Sequence, residues 1–507
     1  MKLTDVLAGC GAEQTSGGRT SVDVTGVSQD SRKVKPGDLF VAVPGAKEDG
    51  AQFVGEAVSR GAVAVVSEKT VASQVPFFKV SNARKALALI AANFYGRPAE
   101  KLTVLAVTGT NGKTTTTYLL EAMATAAYSS TGVIGTLGYK VGGQFHSTAH
   151  TTPDALELHR ILREMVDAGV ETVVMEVSSH ALLQERVHGI TFKAAAFTNL
   201  TRDHLDYHKD MEEYFQAKRK LFVENLAQSG VAVVNGDDTF ATRIYNELRG
   251  QKRMAWKFSR QGTGEISSSA DVSFSLQGIK GVLKTPAGDI PVKSRLLGPH
   301  NLENILAAAG LALGAGFARR KDVQLGIERM AGVPGRMERV ENHGPPGAPA
   351  VLVDYAHTDD ALKRALEAAR GMAKGRVIVV FGCGGERDAG KRPLMGTAAA
   401  EGADLAVLTS DNPRNENPED IISQVTPGLE KGGVRRISAG KAKSGEKGYL
   451  VEADRKAAIE TAISLAKEDD VVLIAGKGHE TYQIVGTEKR PFDDREVAAR
   501  ALAIRTP

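Results

Sequence analysis

The stretch Val104-Leu-Ala-Val-Thr-Gly-Thr-Asn-Gly-Lys-Thr-Thr115 decides how the middle of this chain folds. A β-branched apolar run, typical of a buried strand, leads into a glycine-rich turn, and a helical pattern starts at the Lys-Thr pair. In this order the N–H groups of the turn and of the first helical turn face one point, where they can bind a polyphosphate. We therefore predict a nucleotide site in which Lys113 reaches the outer phosphates and Thr114 offers its hydroxyl to Mg²⁺.

The loop departs from the usual phosphate-loop pattern at one position, because Val107 stands where the first glycine is expected. A tight turn that happens to precede Lys-Thr is the alternative, and it explains the glycines but not the strand and helix around them. We predict that the following loop residues contact the nucleotide: Thr108, Gly109, Thr110, Asn111, Gly112, Lys113, Thr114 and Thr115.

Length and charge limit the kind of protein this can be. The chain has 507 residues, and at about 150 residues per domain this length predicts three domains. The net charge of +4 is small, so we expect no nucleic-acid partner. Cys10 and Cys383 are too few and too far apart for a disulfide framework or a thiolate metal site. Because no run has signal-peptide or membrane-spanning character, we expect a cytoplasmic protein without a membrane partner.

Two segments rich in glycine and proline, Gly96-Arg-Pro98 and Gly332-Val-Pro-Gly-Arg336, predict linkers. They divide the chain into domains at 1–98, 99–334 and 335–507. Strand and helix patterns alternate in the second and third, which is typical of parallel sheets covered by helices. We therefore predict an α/β protein of three domains, with a central phosphate-loop domain on a parallel sheet and a C-terminal doubly wound, Rossmann-like domain.

The local patterns place the main elements. Strands are predicted at 38–43, 62–66, 172–177, 194–199, 231–235, 351–355, 377–381, 405–409 and 471–475. Helices are predicted at 83–95, 155–168, 211–226 and 301–313. Short β-prone runs with glycine turns at 265–297 indicate an antiparallel excursion from the central sheet.

Metal-binding side chains follow two of the central strands. Glu176 ends one strand, and His204 lies in the polar stretch Thr198 to His208 that follows the next. The carboxyl ends of parallel strands form the ligand-binding edge of such a sheet. Carboxylate oxygen is a preferred Mg²⁺ ligand, and a histidine there can bind a metal or orient a phosphate. A solvated carboxylate and a structural histidine are the alternatives, but the location favours a site.

Asn301 and Asn304 lie at the start of an alanine-rich helix, on one face. Helix capping explains Asn301, whereas Asn304 fits a contact with an adenine edge, so we place both near the nucleotide. Lys218, on the helix that starts near Met211, is by composition alone an ordinary solvated lysine.

Polar loops close four strands of the third block: Asp354 to His357, Gly382 to Asp388, Asp411 to Arg414 and Gly476 to Glu480. Turn chemistry explains any one of them. Four at the carboxyl ends of successive strands predict a binding face on a second doubly wound sheet.

Together these motifs resemble those of the Mur ligases, the ATP-dependent amide-forming enzymes of peptidoglycan precursor synthesis. The resemblance rests on segments in the same order over nearly the whole chain: Thr108 to Thr115, Glu176 to His180, Asn199 to His208, His300 to Asn304, Gly335 to Glu338 and Asp354 to His357. Asp411 to Pro418 resembles the members that add meso-diaminopimelate to UDP-N-acetylmuramoyl-L-alanyl-D-glutamate. Asp30 to Arg32 and Gly37 to Ala42 resemble the domain that binds the uridine nucleotide.

The resemblance implies catalytic roles for Lys113, Glu176, His204 and Lys218, and the use of ATP and Mg²⁺. Lys113 would serve the ATP phosphates, and Thr114, Glu176 and His204 would hold the metal. Lys218 matches the family lysine that becomes carbamylated and would also bind the metal in that form. A free ammonium would repel Mg²⁺, whereas a carbamate is an anionic oxygen ligand.

The substrate-binding residues that the resemblance implies form two groups. Ser31 would contact the uridine end, and the muramoyl-peptide part would be held by Thr151, Thr152, Ser178, Gln184 and Arg186. Diaminopimelate would be held by Arg387, Asp411, Asn412, Pro413, Arg414, Gly476 and Glu480. One position departs from the family's Tyr-Ala-His-Thr-Pro, because Asp359 replaces the proline and alters how the next helix starts.

The implied reaction activates the D-glutamyl carboxylate as an acyl phosphate, which the amine of diaminopimelate then attacks. We expect a monomer whose domains close over the site, with hinges near Pro98 and Pro334. A folylpolyglutamate synthetase would not need roughly 100 residues before the phosphate loop, and a lysine-adding homologue should not carry Arg414. A nucleotide switch or transporter ATPase would leave the polar loops of the third block unexplained.

Overall fold

The computed structural model describes residues 1–16, 21–45, 48–205, 207–341 and 344–505. Asp206, in the predicted metal-binding stretch, lies outside the described residues. Over the described part the chain forms three sheets and a two-stranded hairpin, with helices between the strands. The predicted α/β class is confirmed. Among the described helices, each one falls short of the length and apolar character that a membrane crossing requires.

The first sheet is small and mostly parallel. Its strands are β1 Glu13–Ser16, β2 Gly26–Ser28, β3 Asp38–Ala42, β4 Ala64–Ser67 and β5 Phe77–Lys79, in the order β1-β5-β4-β3-β2. The helices around it are α1 Leu3–Val6, α2 Val54–Ser59 and α3 Ala83–Phe94, with 3-10 turns at Ser31–Lys33, Gly50–Phe53 and Pro98–Lys101. Only β1 is antiparallel to its neighbour. Helix α3 begins because Asn82 caps it, accepting a bond from the Lys85 N–H.

The second sheet carries the phosphate loop. Its strands are β6 Thr103–Thr108, β7 Thr131–Gly135, β8 Gly138–Val141, β9 Gln144–His146, β10 Thr172–Glu176, β11 Phe192–Phe197, β12 Leu226–Asn235, β13 Ala255–Ser259, β14 Ile266–Ser268, β15 Ser273–Ser275, β16 Gly278–Lys284 and β17 Ile290–Ser294. Its helices are α4 Lys113–Ala126, α5 Ala155–Asp167, α6 Ser179–Leu183, α7 Met211–Lys220, α8 Thr239–Gly250, α9 Pro299–Ala315 and α10 Arg320–Arg329.

Strand β6 lies at the centre of this sheet, parallel to β10 on one side and β11 on the other. It is buried on both faces, as its apolar run predicts. Helices α4 and α9 pack against one face of the sheet, and α5, α7 and α8 pack against the other. Strand β16 pairs antiparallel with β14, β15 and β17, which confirms the excursion predicted at 265–297.

The third sheet is doubly wound. Its strands are β18 Glu338–Arg339, β19 Ala350–Asp354, β20 Val377–Phe381, β21 Leu405–Leu408, β22 Gly448–Val451 and β23 Val471–Ala475, in the order β18-β19-β23-β20-β21-β22. The helices are α11 Asp359–Met372, α12 Lys391–Gly402, α13 Pro418–Lys431, α14 Ala439–Ser444, α15 Arg455–Leu465 and α16 Asp494–Ala503. Helices α11 to α13 cover one face, and α15 and α16 the other. Strands β24 Tyr482–Val485 and β25 Glu488–Pro491 form the separate hairpin.

Several element boundaries differ from the prediction: β4 runs over Ala64–Ser67 rather than 62–66, and β12 begins at Leu226 rather than 231. Two further differences have a local explanation. Helix α9 begins at Pro299 rather than Asn301, because proline at the first helical position already has a helical φ and follows the left-handed Gly298. The helix predicted at 211–226 is α7, and it passes into a π-helical turn at Leu221–Asn225 before β12 begins.

Candidate active site

The loop between β6 and α4 is held close to the neighbouring strand end. The Thr110 N–H donates to the Asn199 carbonyl at 2.9 Å, and the Asn111 N–H donates to the Asn199 side-chain oxygen at 2.9 Å. A Cβ on Gly109 would collide with the Thr198 hydroxyl, and Gly112 takes a φ of 85°. Glycine is therefore required at both positions for the backbone to make this turn.

Lys113 lies inside this loop. Its ammonium donates to the carbonyls of Gly109 at 2.9 Å and Thr110 at 2.8 Å. Burial lowers the pKa of Lys113, and the nearby carboxylates of Glu176 and Asp203 oppose that shift. The side chain is thus held at the mouth of the loop, where an anionic phosphate would favour its charged form.

A cavity of about 240 Å³ opens in front of the loop and is walled by both the second and the third sheet. Most of the predicted nucleotide and metal residues line it: Thr110, Asn111, Gly112, Lys113, Thr114, Thr115, Glu176, His204, Asn301 and Asn304. Thr151 and Ser178 of the predicted peptide site line it as well. Thr108, at the end of β6, and Gly109, the first residue of the loop, are not part of this lining.

The third sheet contributes a wall whose residues were not assigned to the nucleotide or the substrates, although Asp354 to His357 were predicted as part of a binding face. Arg336, Asp354, Tyr355, His357 and Arg364 line the cavity. The Arg336 guanidinium lies 4.5 Å from the centre of the Tyr355 ring. Asp354 accepts from the N–H groups of Met337 and Ala356, and burial raises its pKa. The segments Gly335 to Glu338 and Asp354 to His357 were among the motifs that carry the family resemblance. The sequence gives no sign, however, that they face the phosphate loop.

Three of the four predicted metal residues, Thr114, Glu176 and His204, line the cavity, whereas Lys218 is not part of its lining. Glu176 is buried at the end of β10 and accepts from the Thr136 N–H at 3.0 Å and its hydroxyl at 2.9 Å. His204 has a left-handed backbone, and burial lowers the pKa of its imidazole to about 4, which leaves the ring neutral. Among the described residues no three His, Cys, Asp or Glu side chains gather as a metal cage. The Glu176 carboxylate beside a phosphate loop suits Mg²⁺, which prefers oxygen ligands, takes few of them from the protein and completes its shell with phosphate and water.

Lys218 is buried behind the phosphate loop rather than solvated, so the composition-based expectation is wrong. Its ammonium nitrogen lies 3.0 Å from the Gly109 carbonyl and 4.7 Å from the centre of the Tyr214 ring. Burial and the charge of Lys113 hold its pKa well below the usual lysine value. A lowered pKa favours the neutral, nucleophilic amine that reaction with CO₂ requires.

Asn301 does not cap helix α9, which corrects the capping interpretation. Its amide donates to the Leu297 carbonyl at 2.7 Å and accepts from the Asn304 amide at 2.9 Å. The Asn304 side-chain oxygen stands where a Cβ on Gly112 would lie, so α9 approaches the phosphate loop closely. Contact of either asparagine with adenine stays a prediction.

The residues predicted for the muramoyl-peptide part form one hydrogen-bonded group. The Arg186 guanidinium donates to the Thr152 carbonyl at 2.6 Å and to the Gln184 side-chain oxygen at 2.8 Å. The Thr152 hydroxyl donates to the Glu176 carbonyl at 2.9 Å, and Ser178 caps α6. Ser31 lies apart from this group, beside the first sheet, where its hydroxyl donates to Glu56 at 2.7 Å.

The predicted amino-acid residues meet at the carboxyl end of the third sheet. The Asn412 amide donates to Glu480 at 2.9 Å, and Asp411 stands where a Cβ on Gly476 would lie. Arg414 has a φ of 53° and donates to the Gly385 carbonyl at 2.6 Å. Pro413 belongs to the same loop, and Arg387 is exposed on the neighbouring one. Lys477 was not among the predicted site residues, and its ammonium is fully buried between Asn412 and Glu480.

Comparison with known proteins identifies the family. Residues 23–95 match the description "Mur ligase family, catalytic domain", residues 107–312 match "Mur ligase middle domain", and residues 335–478 match "Mur ligase, glutamate ligase domain". A relative from Gloeobacter violaceus is 47% identical over 511 residues, covering 100% of this chain and 99% of the relative. The chain belongs to the Mur ligase family.

The names of the similar proteins indicate which member of the family this chain resembles. A second relative of this Mur ligase, from Geobacter metallireducens, is 46% identical over 99% of this chain and 98% of its own. It and the Gloeobacter violaceus relative are both named UDP-N-acetylmuramoyl-L-alanyl-D-glutamate--2,6-diaminopimelate ligase. A solved structure with that name is 33% identical, with a TM-score of 0.70 and coverage of 99% of this chain and 98% of its own. The MurF ligase from Thermotoga maritima, solved with ADP, shares the fold at 20% identity and a TM-score of 0.58, with 94% and 95% coverage.

Proposed function

We infer that this Mur ligase joins meso-2,6-diaminopimelate to UDP-N-acetylmuramoyl-L-alanyl-D-glutamate at the expense of ATP, in peptidoglycan precursor synthesis. The observation that carries the inference is the cavity shared by two sheets, because it places the phosphate loop of one beside the polar strand ends of the other. The names of the full-length relatives indicate the same reaction.

The reaction begins with attack of the D-glutamyl carboxylate on the γ-phosphate of ATP, which gives an acyl phosphate and ADP. Two anions must approach each other, so positive groups have to neutralise the developing charge. Lys113 lies within reach of phosphates bound to its loop. The amine of diaminopimelate then attacks the acyl carbon and phosphate leaves.

Mg²⁺ would be held by Thr114, Glu176 and His204, with Lys218 as a carbamate, and would supply further positive charge at the phosphates. The carbamate would form when the neutral amine of Lys218 attacks CO₂ and loses a proton. The carbamate would place an anion beside Lys113, whose positive charge disfavours the protonated form of Lys218 and lowers the pKa of Lys218.

We assign the amino-acid subsite to the residues around Arg414. Its guanidinium can pair with the distal carboxylate of diaminopimelate, while Asp411 and Glu480 offer carboxylates to the distal ammonium. Lysine lacks that carboxylate, so its binding would leave Arg414 unpaired. Specificity of this kind can reach about 10⁴-fold. Ser31, Thr151, Thr152, Ser178, Gln184 and Arg186 would hold the nucleotide substrate.

The larger-scale assignments follow from this chemistry. We propose that residues 1–98 bind the uridine end, 99–334 bind ATP and 335–507 deliver diaminopimelate. A monomer suffices, because one chain contains every group that the reaction needs. Both the nucleotide precursor and ATP point to the cytoplasm as the place of action.

Phosphate release by the purified protein tests the function. The assay contains ATP, Mg²⁺ and UDP-N-acetylmuramoyl-L-alanyl-D-glutamate, with either meso-diaminopimelate or L-lysine, and mass spectrometry identifies the product. We expect release and a tripeptide product only with diaminopimelate. Equal release with lysine would contradict the specificity, and release without any amino acid would indicate a plain ATPase.

A further inference from the structure

Lys477 is a buried lysine that the reaction described above leaves without a role. Its side chain is 0% exposed, and its ammonium donates to the Asn412 side-chain oxygen at 3.1 Å and to Glu480 Oε2 at 3.0 Å. The centre of the Tyr482 ring lies 5.7 Å from the same ammonium nitrogen. A lysine is seldom buried without a compensating partner, so this position is built around its charge.

The hydrogen bonds of Lys477 settle which way the Asn412 amide points. Lysine only donates, so the atom of Asn412 that faces it is the oxygen. The Ile484 N–H also donates to that oxygen, at 2.9 Å. The Asn412 amide nitrogen therefore faces Glu480 Oε2, at 2.9 Å, and keeps a second N–H for another partner.

The same contacts order the carboxylate of Glu480. Its Oε2 accepts from both the Lys477 ammonium and the Asn412 amide, so within the described residues Oε1 is left to meet a ligand. The hairpin β24–β25 fixes the loop from the other side. The Gln483 amide donates to the Asp411 carbonyl at 2.6 Å, and the Arg414 N–H donates to the Ile484 carbonyl at 3.1 Å.

We propose that Lys477 is a positioning residue of the diaminopimelate subsite: it holds Asn412 and Glu480 so that an amide N–H meets the distal carboxylate and a carboxylate oxygen meets the distal ammonium. The proposal rests on the function inferred above. It adds a specificity determinant that touches no substrate atom and acts through two residues that do.

Steady-state kinetics of full-length Lys477→Met tests the proposal, because methionine keeps the unbranched apolar stem of lysine and removes its charge and donors. Loss of charged hydrogen bonds of this kind corresponds to a KM for diaminopimelate about 30-fold higher. The KM values for ATP and for the nucleotide substrate should stay within about twofold of the wild type. Lys477→Gln, which keeps an N–H donor group without the charge, should give an intermediate KM and serves if the methionine variant does not fold.

Asp470→Asn is the matched control. It weakens another buried pair of the same sheet, Arg376–Asp470 at 2.9 Å, at the opposite strand ends. It should lower the melting temperature without changing the KM for diaminopimelate. An unchanged KM in Lys477→Met, or a uniform loss of activity like that of any destabilised variant, overturns the proposal. If the wild-type protein does not ligate diaminopimelate, both the proposed function and the role of Lys477 are overturned. If the wild type is active, an unchanged KM in the variant overturns only the role of Lys477.

Discussion

At the scale of single residues, Lys218 carries the clearest prediction. Lys218→Met keeps the buried side chain but removes the amine that CO₂ would modify, so no anion can form behind the phosphate loop. We expect the rate of phosphate release to fall about 10²-fold or more, the usual effect of removing an electrostatic group from an active site. Lys209→Met, on an exposed residue just before α7, should leave the rate unchanged. Full activity of the Lys218 variant would exclude a catalytic carbamate.

Arg414 carries the prediction for substrate choice. Arg414→Ala removes the guanidinium that would pair with the distal carboxylate, so the KM for diaminopimelate should rise about 10²-fold. The KM for ATP should not change, because Arg414 is not part of the cavity lining. The measurement is the same phosphate-release assay at varied amino-acid concentration. An unaltered KM for diaminopimelate would show that Arg414 does not select the amino acid.

His159 makes the stability of the protein depend on pH. It is buried in α5, neither ring nitrogen has a hydrogen-bond partner within the described structure, and burial lowers its pKa to about 4. The unfolded chain takes up the proton near pH 6.5, so the stability contributed by the neutral ring is lost as the pH falls from about 6.5 towards 4. At pH 5 the loss is about 2 kcal/mol.

Urea unfolding of wild type and His159→Leu at pH 7 and pH 5 measures this effect. The variant should lose less stability on acidification than the wild type does. His150→Leu, in an exposed loop, should behave as the wild type. Equal pH dependence in wild type and His159→Leu would contradict the assignment.

At the scale of elements, the start of α11 resolves what Asp359 does in place of the family proline. Thr358 is the cap residue and accepts from the Ala361 N–H, so Asp359 occupies the first helical position. Proline and an acidic residue both suit that position, one through its fixed φ and the other through the helix dipole. Asp359→Pro should therefore change the free energy of unfolding by less than about 1 kcal/mol, as chemical denaturation would show. Thr358→Ala, which removes the cap, should cost about 1 kcal/mol.

The elements themselves could be predicted because local patterns determine them. The strands at 172–177, 377–381 and 471–475 are runs of apolar residues bounded by polar turns, and each forms close to its predicted bounds. The start of α9 was wrong by two residues because proline and glycine signal a break as readily as a helix start. The turn at Leu221–Asn225 was missed because a π-helical turn has no pattern of its own in the sequence.

At the scale of the whole molecule, three polar contacts link the second and third sheets around the cavity: Asn111–Asp360 at 3.2 Å, Glu303–Arg364 at 3.5 Å and Arg202–Asp388 at 3.6 Å. We expect an ATP analogue with the nucleotide substrate to favour this closed arrangement, and small-angle scattering should then show a smaller radius of gyration. No compaction with ligands would count against closure.

Arg364→Ala should weaken the closed arrangement. A partly exposed ion pair is worth about 1 kcal/mol, so the KM for ATP should rise about fivefold. Arg370→Ala is the control, because Arg370 lies on the same helix but pairs with Asp404 within the third-sheet domain. If the two variants have the same KM for ATP, Arg364 does not contribute to nucleotide binding.

Contacts between sheets are what the sequence could not provide. The positions of Glu176 and His204 followed from the rule that ligands bind at strand ends, which holds within one sheet. That Arg336 and Tyr355 face the same cavity depends on how two sheets are joined, for which the chain carries no local pattern. Lys477 and Lys218 show a related limit. Burial of a lysine is a property of the assembled structure, and the sequence around a helical or loop lysine does not indicate whether it is exposed or buried.

The attachment of the 411–414 loop to the hairpin β24–β25 has a consequence for protein engineering. Four hydrogen bonds join the two segments, including Ile484 to Asn412 and Gly486 to Arg414, across about 70 intervening residues. The loop and the hairpin therefore form one exchangeable cassette, encoded in two pieces. A graft of the 411–414 loop alone would transfer the side chains proposed to bind the amino acid without the hairpin that holds them in place. Libraries that seek ligases for other amino acids should diversify both pieces together.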